Sequence, residues 1–91
     1  MLMNMSQASS IHLLTVNEHD RMDNRYVHKF FWDPVAREIT RRSRNDHDGG
    51  DVLHWSYTFT RSQAEEFLER HKDVASVAKA RREFRIGEVT G

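Results

Sequence analysis

The chain contains no cysteine, and this absence excludes several functions at once. Without a thiol there is no disulfide framework, no thiolate nucleophile and no cysteine-containing zinc site. Secreted domains of this size are normally rich in disulfides, and residues 1–10 lack the basic and apolar stretches of a signal peptide. No apolar run is long enough to cross a bilayer. We therefore expect a cytoplasmic protein in which a flexible lead-in, residues 1–10, precedes a single domain over 11–91.

The chain also lacks net charge, because fourteen Lys and Arg residues balance fourteen Asp and Glu residues. A domain dedicated to nucleic acid usually has a clear excess of positive charge. Motifs typical of enzymes are missing as well: there is no phosphate-binding P-loop, no dinucleotide-binding glycine pattern and no serine nucleophile elbow. A chain of 91 residues has little room for a catalytic pocket. We predict neither catalytic activity nor a cofactor.

Six histidines raise the question of a metal site, most directly in the stretch NDHDGGDVLH, residues 45–54. The side chains there that could bind zinc or manganese are Asp46, His47, Asp48, Asp51 and His54. Their spacing matches neither the HExxH zinc motif nor the calcium loop of an EF-hand. Asn, Asp and Gly are instead typical of turns. We interpret residues 45–51 as a solvated turn and predict no metal site.

Alternating apolar and polar residues predict a sheet. The predicted strands cover residues 11–17, 25–32, 36–44 and 52–59. Pro34 should end the second strand, since proline cannot donate a ladder hydrogen bond. In the fourth strand one face carries Leu53, Trp55, Tyr57 and Phe59. We predict that this face, Trp55 included, belongs to the core.

A helix is predicted over residues 61–72. Thr60 and Gln63 have the spacing of a capping box, and the apolar residues that follow recur at helical spacing: Ala64, Phe67 and Leu68. The tail, residues 73–89, fits a helix or a strand, and we expect a short helix followed by an extended end. The predicted fold class is α+β: a small antiparallel meander of about four strands, with one or two C-terminal helices packed on one face.

The second strand has large side chains on both faces. One face carries Tyr26, His28, Phe30 and Trp32, and the other carries Val27, Lys29 and Phe31. Helices on a single side of the sheet cannot bury both sets, and an exposed aromatic patch usually marks a partner surface. Aromatic side chains of this strand are therefore candidates for binding a partner.

The third strand contributes an arginine-rich segment, residues 37–44, which contains four arginines and a single acidic residue, Glu38. Eleven of the fourteen cations in the chain are arginines, which suit forked contacts to carboxylates or phosphates. Charges on a strand have a simpler interpretation too, since they prevent a sheet edge from pairing with another chain. Both interpretations remain open from the sequence.

Our first hypothesis is a small non-enzymatic protein-binding module, an inhibitor or adaptor that occupies a surface of a larger partner. Inhibitors from phages and mobile elements, anti-CRISPR proteins among them, are comparable in size and style, although no motif is shared. The predicted partner-binding residues are Lys29, Phe31, Trp32, Arg37, Arg41, Arg42 and Arg44. The alternative is nucleic-acid binding through Arg41, Arg42, Arg44, Lys79, Arg81 and Arg82. A further alternative is a regulatory homodimer built on the open sheet edge or the second sheet face.

Overall fold

The computed structural model describes residues 10–22, 24–47 and 53–90, with the side chains of 46, 47 and 87–90 left aside. The strands are β1 (Ile11–His19), β2 (Asn24–Asp33), β3 (Glu38–His47) and β4 (Leu53–Thr58). Two helices follow, α1 (Arg61–Arg70) and α2 (Ala75–Thr90). The strands form one antiparallel sheet in the order β1-β2-β3-β4. This confirms the predicted α+β meander with C-terminal helices. The predicted lead-in lies, except for residue 10, outside the described residues.

The turn between β2 and β3 forms where Pro34 predicts a break. The Asp33 carboxylate accepts hydrogen bonds from the backbone N–H groups of Val35 (2.9 Å) and Ala36 (3.0 Å). The Arg37 N–H closes the turn by donating to the Asp33 carbonyl at 2.7 Å. At its far end β3 continues to His47, so the predicted turn over 45–51 begins later than expected. The remainder of that turn, and the predicted interpretation of Asp48 and Asp51, lie outside the described residues.

Helix α1 begins as the sequence predicts. The Thr60 hydroxyl accepts from the Gln63 N–H at 3.2 Å, and the Gln63 side chain accepts from the Thr60 N–H at 2.9 Å. This capping box satisfies two backbone donors that a helix otherwise leaves unpaired. The apolar side of α1 packs on the sheet through the predicted residues Ala64, Phe67 and Leu68, all of which are buried.

Helix α2 corrects one prediction, because the expected extended end is wrong and a single helix runs from Ala75 to Thr90. Val77, Ala80 and Phe84 are buried, and their spacing of three and four residues is that of one helical face. The alternation that favours a strand would place Phe84 and Ile86 on the same face of that strand. In the helix they separate, with Phe84 buried and Ile86 63% exposed.

The core lies between the helices and one end of the sheet. The sheet contributes Leu13, Phe30, Trp32 and Ile39, and the helices contribute Ala64, Phe67, Leu68, Val77, Ala80 and Phe84. Trp32 is only 1% exposed, and its indole N–H donates to the Glu83 carboxylate at 3.0 Å. The prediction that Trp32 binds a partner is therefore wrong, because its side chain joins the sheet to α2.

The helices cover only part of the sheet, and this overturns the prediction for β4. Trp55 and Tyr57 are each 40% exposed and Leu53 is 61% exposed, so these three are not core residues. They still lie on the side of the sheet that faces the helices, as the alternation predicts. Their cross-strand neighbours on β3 are Arg41, Ser43 and Asn45, which share the strand period of the core residue Ile39. Of the predicted row on β4, only Phe59 packs against the core.

Candidate binding surfaces

The face of the sheet opposite the helices, here called the outer face, gathers four of the predicted site residues. In the strand register Lys29 lies opposite Arg42, Phe31 opposite Thr40, and Val27 opposite Arg44. Directly opposed residues point to the same side of a sheet, and these positions alternate with Phe30 and Trp32, which face the helices. We name Lys29, Phe31, Arg42 and Arg44 the basic face.

The three rows of the sheet that carry the basic face contain no acidic residue, whereas the next rows of the outer face contain Asp33 and Glu38 at one end and Asp46 at the other. Three consecutive rows across all four strands comprise His12, Thr15, Asn17, Val27, Lys29, Phe31, Thr40, Arg42, Arg44, His54, Ser56 and Thr58. None of these twelve described residues is Asp or Glu. Within these three rows, three permanent positive charges therefore lie among neutral groups and imidazoles, although the chain as a whole is neutral.

Phe31 organises the basic face. The guanidinium carbon of Arg42 lies 4.7 Å from the centre of the Phe31 ring, which is cation–π geometry. The edge of the His12 ring contacts the same phenyl group, with centroids 5.6 Å apart. Phe31 is only partly exposed for this reason. It holds the Arg42 side chain in place over the sheet, so the arginine is oriented for a forked contact before any ligand arrives.

Lys29 and Arg42 form an unfavourable pair within the fold. They are direct cross-strand neighbours between β2 and β3, and like charges in that position destabilise a sheet. Lys29 is exposed and Arg42 is exposed, so solvent screens the repulsion without removing it. An anion bound between the two side chains would relieve the repulsion.

Arg37 does not belong to the basic face. It lies in the turn before β3 with a φ of 59°, in the left-handed region that non-glycine residues rarely occupy. Its guanidinium donates to two backbone carbonyls of α2, those of Glu83 (3.2 Å) and Phe84 (2.6 Å). Its guanidinium carbon also lies 5.8 Å from the centre of the Trp32 ring. Arg37 therefore fastens α2 to the sheet, and its predicted role in partner binding is not supported by this placement.

Replacing Arg37 should consequently change stability and leave binding intact. Arg37→Ala removes both hydrogen bonds and keeps a Cβ in the left-handed region, so we expect a loss of about 2 kcal/mol in the free energy of unfolding. Arg37→Gly loses the same bonds but tolerates the positive φ, and should recover about 1 kcal/mol of that loss. Urea denaturation of the two variants and the wild type measures both effects. Equal stability of the alanine and glycine variants would contradict the assigned backbone conformation.

Arg41 lies on the helix side, away from Arg42 and Arg44. Its guanidinium carbon is 5.5 Å from the centre of the Tyr57 ring. It lines an open groove of about 320 Å³ beside α1, together with Phe30, Tyr57, Phe59, Gln63, Glu66, Phe67, Arg70 and His71. Because Arg41 and Arg42 are consecutive in a strand, they must point to opposite sides of the sheet. The predicted grouping of Arg41 with Arg42 and Arg44 is therefore wrong.

The cations of α2 also lie apart from the basic face. Arg81 donates to the Glu69 carboxylate from Nε (3.1 Å) and Nη2 (2.8 Å), which ties α2 to α1. Hydrogen bonds from Lys72 and then Arg81 lower the pKa of Glu69 below its usual value. Lys79 and Arg82 are exposed on the side of α2 opposite its buried residues. One nucleic-acid strand lying on the basic face would not reach Lys79 or Arg82, since the sheet and a helix separate them.

A second surface, which we name the aromatic row, consists of Leu53, Trp55 and Tyr57 on β4. The Tyr57 hydroxyl donates to the Gln63 side chain at 2.7 Å, and the Trp55 ring meets His28 edge-on, with centroids 6.4 Å apart. His28 itself is fixed between Ser43 (Nδ1 to Oγ, 2.7 Å) and Glu18 (Nε2 to Oε1, 2.6 Å). The apolar side of β4 thus continues beyond the helices onto open surface.

The sequence pattern predicts the aromatic row as core and does not reveal that it is exposed. The lengths of the helix and of the strands, however, do indicate that part of the sheet is uncovered. Helix α1 has 10 residues and spans about 15 Å, whereas β2 and β3, also of 10 residues, each span about 33 Å. A helix half as long as the strands cannot cover them from end to end. Helix α2, with 16 residues, spans about 24 Å, so it too is shorter than these strands, and part of the apolar side of the sheet stays open.

A scan against protein-family models and searches of curated proteins and of solved structures find no match to this chain. Within the described residues, neither helix is long and apolar enough to span a membrane. The two surfaces themselves are therefore the features from which a function can be inferred.

Proposed function

We propose that the protein is a small non-enzymatic binding module that docks its basic face onto an acidic surface of a larger protein, and acts as an inhibitor or adaptor by occupying that surface. The observation that carries this proposal is the opposed pair Lys29 and Arg42, which lies in the middle of three rows that contain no carboxylate. Such a pair weakens the isolated fold slightly and becomes favourable only when an anionic group binds.

The mixture of side chains on the basic face suits a protein partner. Arginine side chains match the geometry of carboxylates and are enriched at protein interfaces. Phe31 supplies apolar area beneath Arg42, while threonine and serine side chains around it offer neutral hydrogen-bonding groups. Covering a surface of a larger partner, in the style of phage and mobile-element inhibitors, is the mode of action proposed here.

Nucleic-acid binding is the second candidate, favoured by the same cations. Two observations weigh against it. The Phe31 ring, the one phenylalanine, tyrosine or tryptophan among the twelve described residues of the three rows, already contacts Arg42 and His12, so a base has no open ring to stack on. Lys79 and Arg82 face the other way. With three or four phosphate contacts, single-strand binding would show a log–log salt slope of only about −2 to −3.

A pull-down from a lysate of the source organism, divided into nuclease-treated and untreated halves, tests the proposal. We expect one stoichiometric protein that is retained in both halves and released as ionic strength rises, because exposed charge pairs are screened by salt. Material that disappears after nuclease treatment and absorbs at about 260 nm would instead establish the nucleic-acid alternative. Retention that is independent of salt in both halves would contradict binding through the basic face.

A further inference from the structure

The described sheet ends in two edge strands, β1 and β4, and they differ in how they are protected from pairing. Strand β1 carries a bulge between His12 and Leu14, the charged residue Glu18, and a Leu13 carbonyl that accepts from Ser76 Oγ at 2.6 Å. Bulges, charges and covering elements are the devices that keep an edge strand from pairing. Strand β4, with the sequence LHWSYT, contains no charged residue, no proline and no bulge against β3, and all six residues are exposed.

The direction of the backbone groups in β4 follows from one hydrogen bond. The Phe59 N–H donates to the Ile39 carbonyl at 2.8 Å, toward β3. Backbone groups alternate in direction along a strand, so those of Leu53, Trp55 and Tyr57 also point toward β3. The N–H and C=O groups of His54, Ser56 and Thr58 therefore point outward at the free edge. The backbone donors and acceptors of these three residues are therefore positioned to form hydrogen bonds with an antiparallel strand.

That pattern is self-complementary. In an antiparallel pair, directly opposed residues point to the same side of the sheet. A twofold axis at Ser56 satisfies this rule and uses all three outward residues: Ser56 faces Ser56 of a second copy, and His54 faces Thr58. On the helix side the same register places Trp55 opposite Tyr57 of the second copy. Two side chains of each aromatic row, Trp55 and Tyr57, then meet aromatic neighbours of the second copy.

We propose that β4 pairs antiparallel with β4 of a second copy of this chain about a twofold axis at Ser56. The two four-stranded sheets become one continuous sheet, and the aromatic rows pack against each other across the axis. No charge opposes this contact within β4. The arginines of the two β3 strands stay three strand spacings apart, about 14 Å, which exceeds the Debye length of about 8 Å at physiological salt.

The occupant is a second copy because the edge matches its own sequence in this register. A charged peptide would find no opposite charge on β4 and would leave its own charges beside Trp55 and Tyr57. The dimer also places both basic faces on the same side of the continuous sheet. This inference does not depend on the proposed function, since β4 and the basic face are separate sets of residues.

A single introduced cysteine tests the register, because the chain has no cysteine of its own. In Ser56→Cys the two thiols lie on hydrogen-bonded opposed residues, with Cα atoms about 5.5 Å apart, within the range of a disulfide. We expect mild oxidation to convert most of this variant to a covalent dimer. In Thr58→Cys the two thiols are offset by four residues, about 14 Å, and should not link. Asn17→Cys, on the edge strand β1, is the second control.

Light scattering at several concentrations supplies the independent measurement. We expect the wild type to shift from monomer to dimer as concentration rises, and Trp55→Glu to need at least about tenfold higher concentration for the same dimer fraction. A wild type that stays monomeric throughout, or equal cross-linking of all three cysteine variants, would overturn the proposal. Hydrogen exchange gives a third test. If the chain is monomeric and its β4 amides become protected from exchange only when a captured protein is added, the edge binds that protein and the proposal is overturned.

Lys29→Glu separates this proposal from the proposed function. It changes the basic face and leaves β4 untouched, so the Ser56→Cys cross-link should form equally well in its presence. Loss of partner capture with the cross-link retained would show that the two surfaces act independently. Loss of the cross-link in Lys29→Glu would overturn the β4 pairing as described.

Discussion

Trp32→Ala is expected to lower the free energy of unfolding by about 3–5 kcal/mol, the range for removing a large aromatic side chain from a packed core. Trp32 is 1% exposed and meets Phe84 edge-on, with ring centroids 6.0 Å apart. Its indole N–H also donates to Glu83 at 3.0 Å. Because a domain of this size is stabilised by only about 5–14 kcal/mol, the variant should be partly or largely unfolded at 37 °C.

Urea denaturation followed by circular dichroism measures this loss, and the second tryptophan provides a matched control. Trp55→Ala, at a concentration where the chain is monomeric, should change the free energy of unfolding by less than about 1 kcal/mol, because Trp55 is 40% exposed. Trp32→Phe should lie between the two, since it keeps most of the packing but leaves Glu83 without the indole donor. Similar losses for Trp32→Ala and Trp55→Ala would contradict the placement of the helices.

The two tryptophans also show where sequence reasoning succeeds and where it stops. Alternation in β2 and β4 correctly assigned Trp32 and Trp55 to faces of the sheet, because the side-chain period of a strand is local. Their burial was predicted the wrong way round. Burial depends on which stretch of the sheet a helix lies over, and that is decided by packing between distant segments such as Trp32 and Glu83. Residue patterns within one strand do not contain that information.

Helix α1 was predictable for the opposite reason. Its capping box, Thr60 with Gln63, and its buried side are interactions within a few residues of each other. The end of α2 was not, since residues 84–89 alternate like a strand while Val77, Ala80 and Phe84 follow a helical spacing. The longer apolar pattern, which packs against the core, prevailed over the shorter one because burial of three side chains outweighs a weak local preference.

The basic face could be predicted in part. Lys29, Phe31, Arg42 and Arg44 come together through the register of β2 with β3. The strand period itself places Arg41 on the face opposite to Arg42. The role of Arg37 was not accessible, because it follows from a positive φ in the turn and from contacts with carbonyls of α2, far away in sequence.

Lys29→Glu should weaken partner capture by about tenfold or more while leaving the fold as stable as the wild type or slightly more stable. The new carboxylate lies opposite Arg42. A cross-strand repulsion becomes an attraction, which contributes about 0.2–1 kcal/mol to stability. At the interface the same carboxylate meets the acidic surface of the partner, and like charges brought together on docking oppose association. Urea denaturation and titration with the captured protein measure the two effects separately.

Lys79→Glu is the matched control, because it makes the same change of charge at an exposed lysine on the far side of α2. It should leave capture within about twofold of the wild type, since charges beyond a Debye length are largely screened. Equal weakening by both variants would mean that net charge, and not the basic face, governs binding. Arg42→Glu should weaken capture at least as much as Lys29→Glu, because it also removes the cation held over Phe31 at 4.7 Å. If the partner is acidic, Lys29→Glu must lower the affinity for the partner while it maintains or raises the stability of the fold. A purely structural role for Lys29 would instead change the affinity and the stability in the same direction.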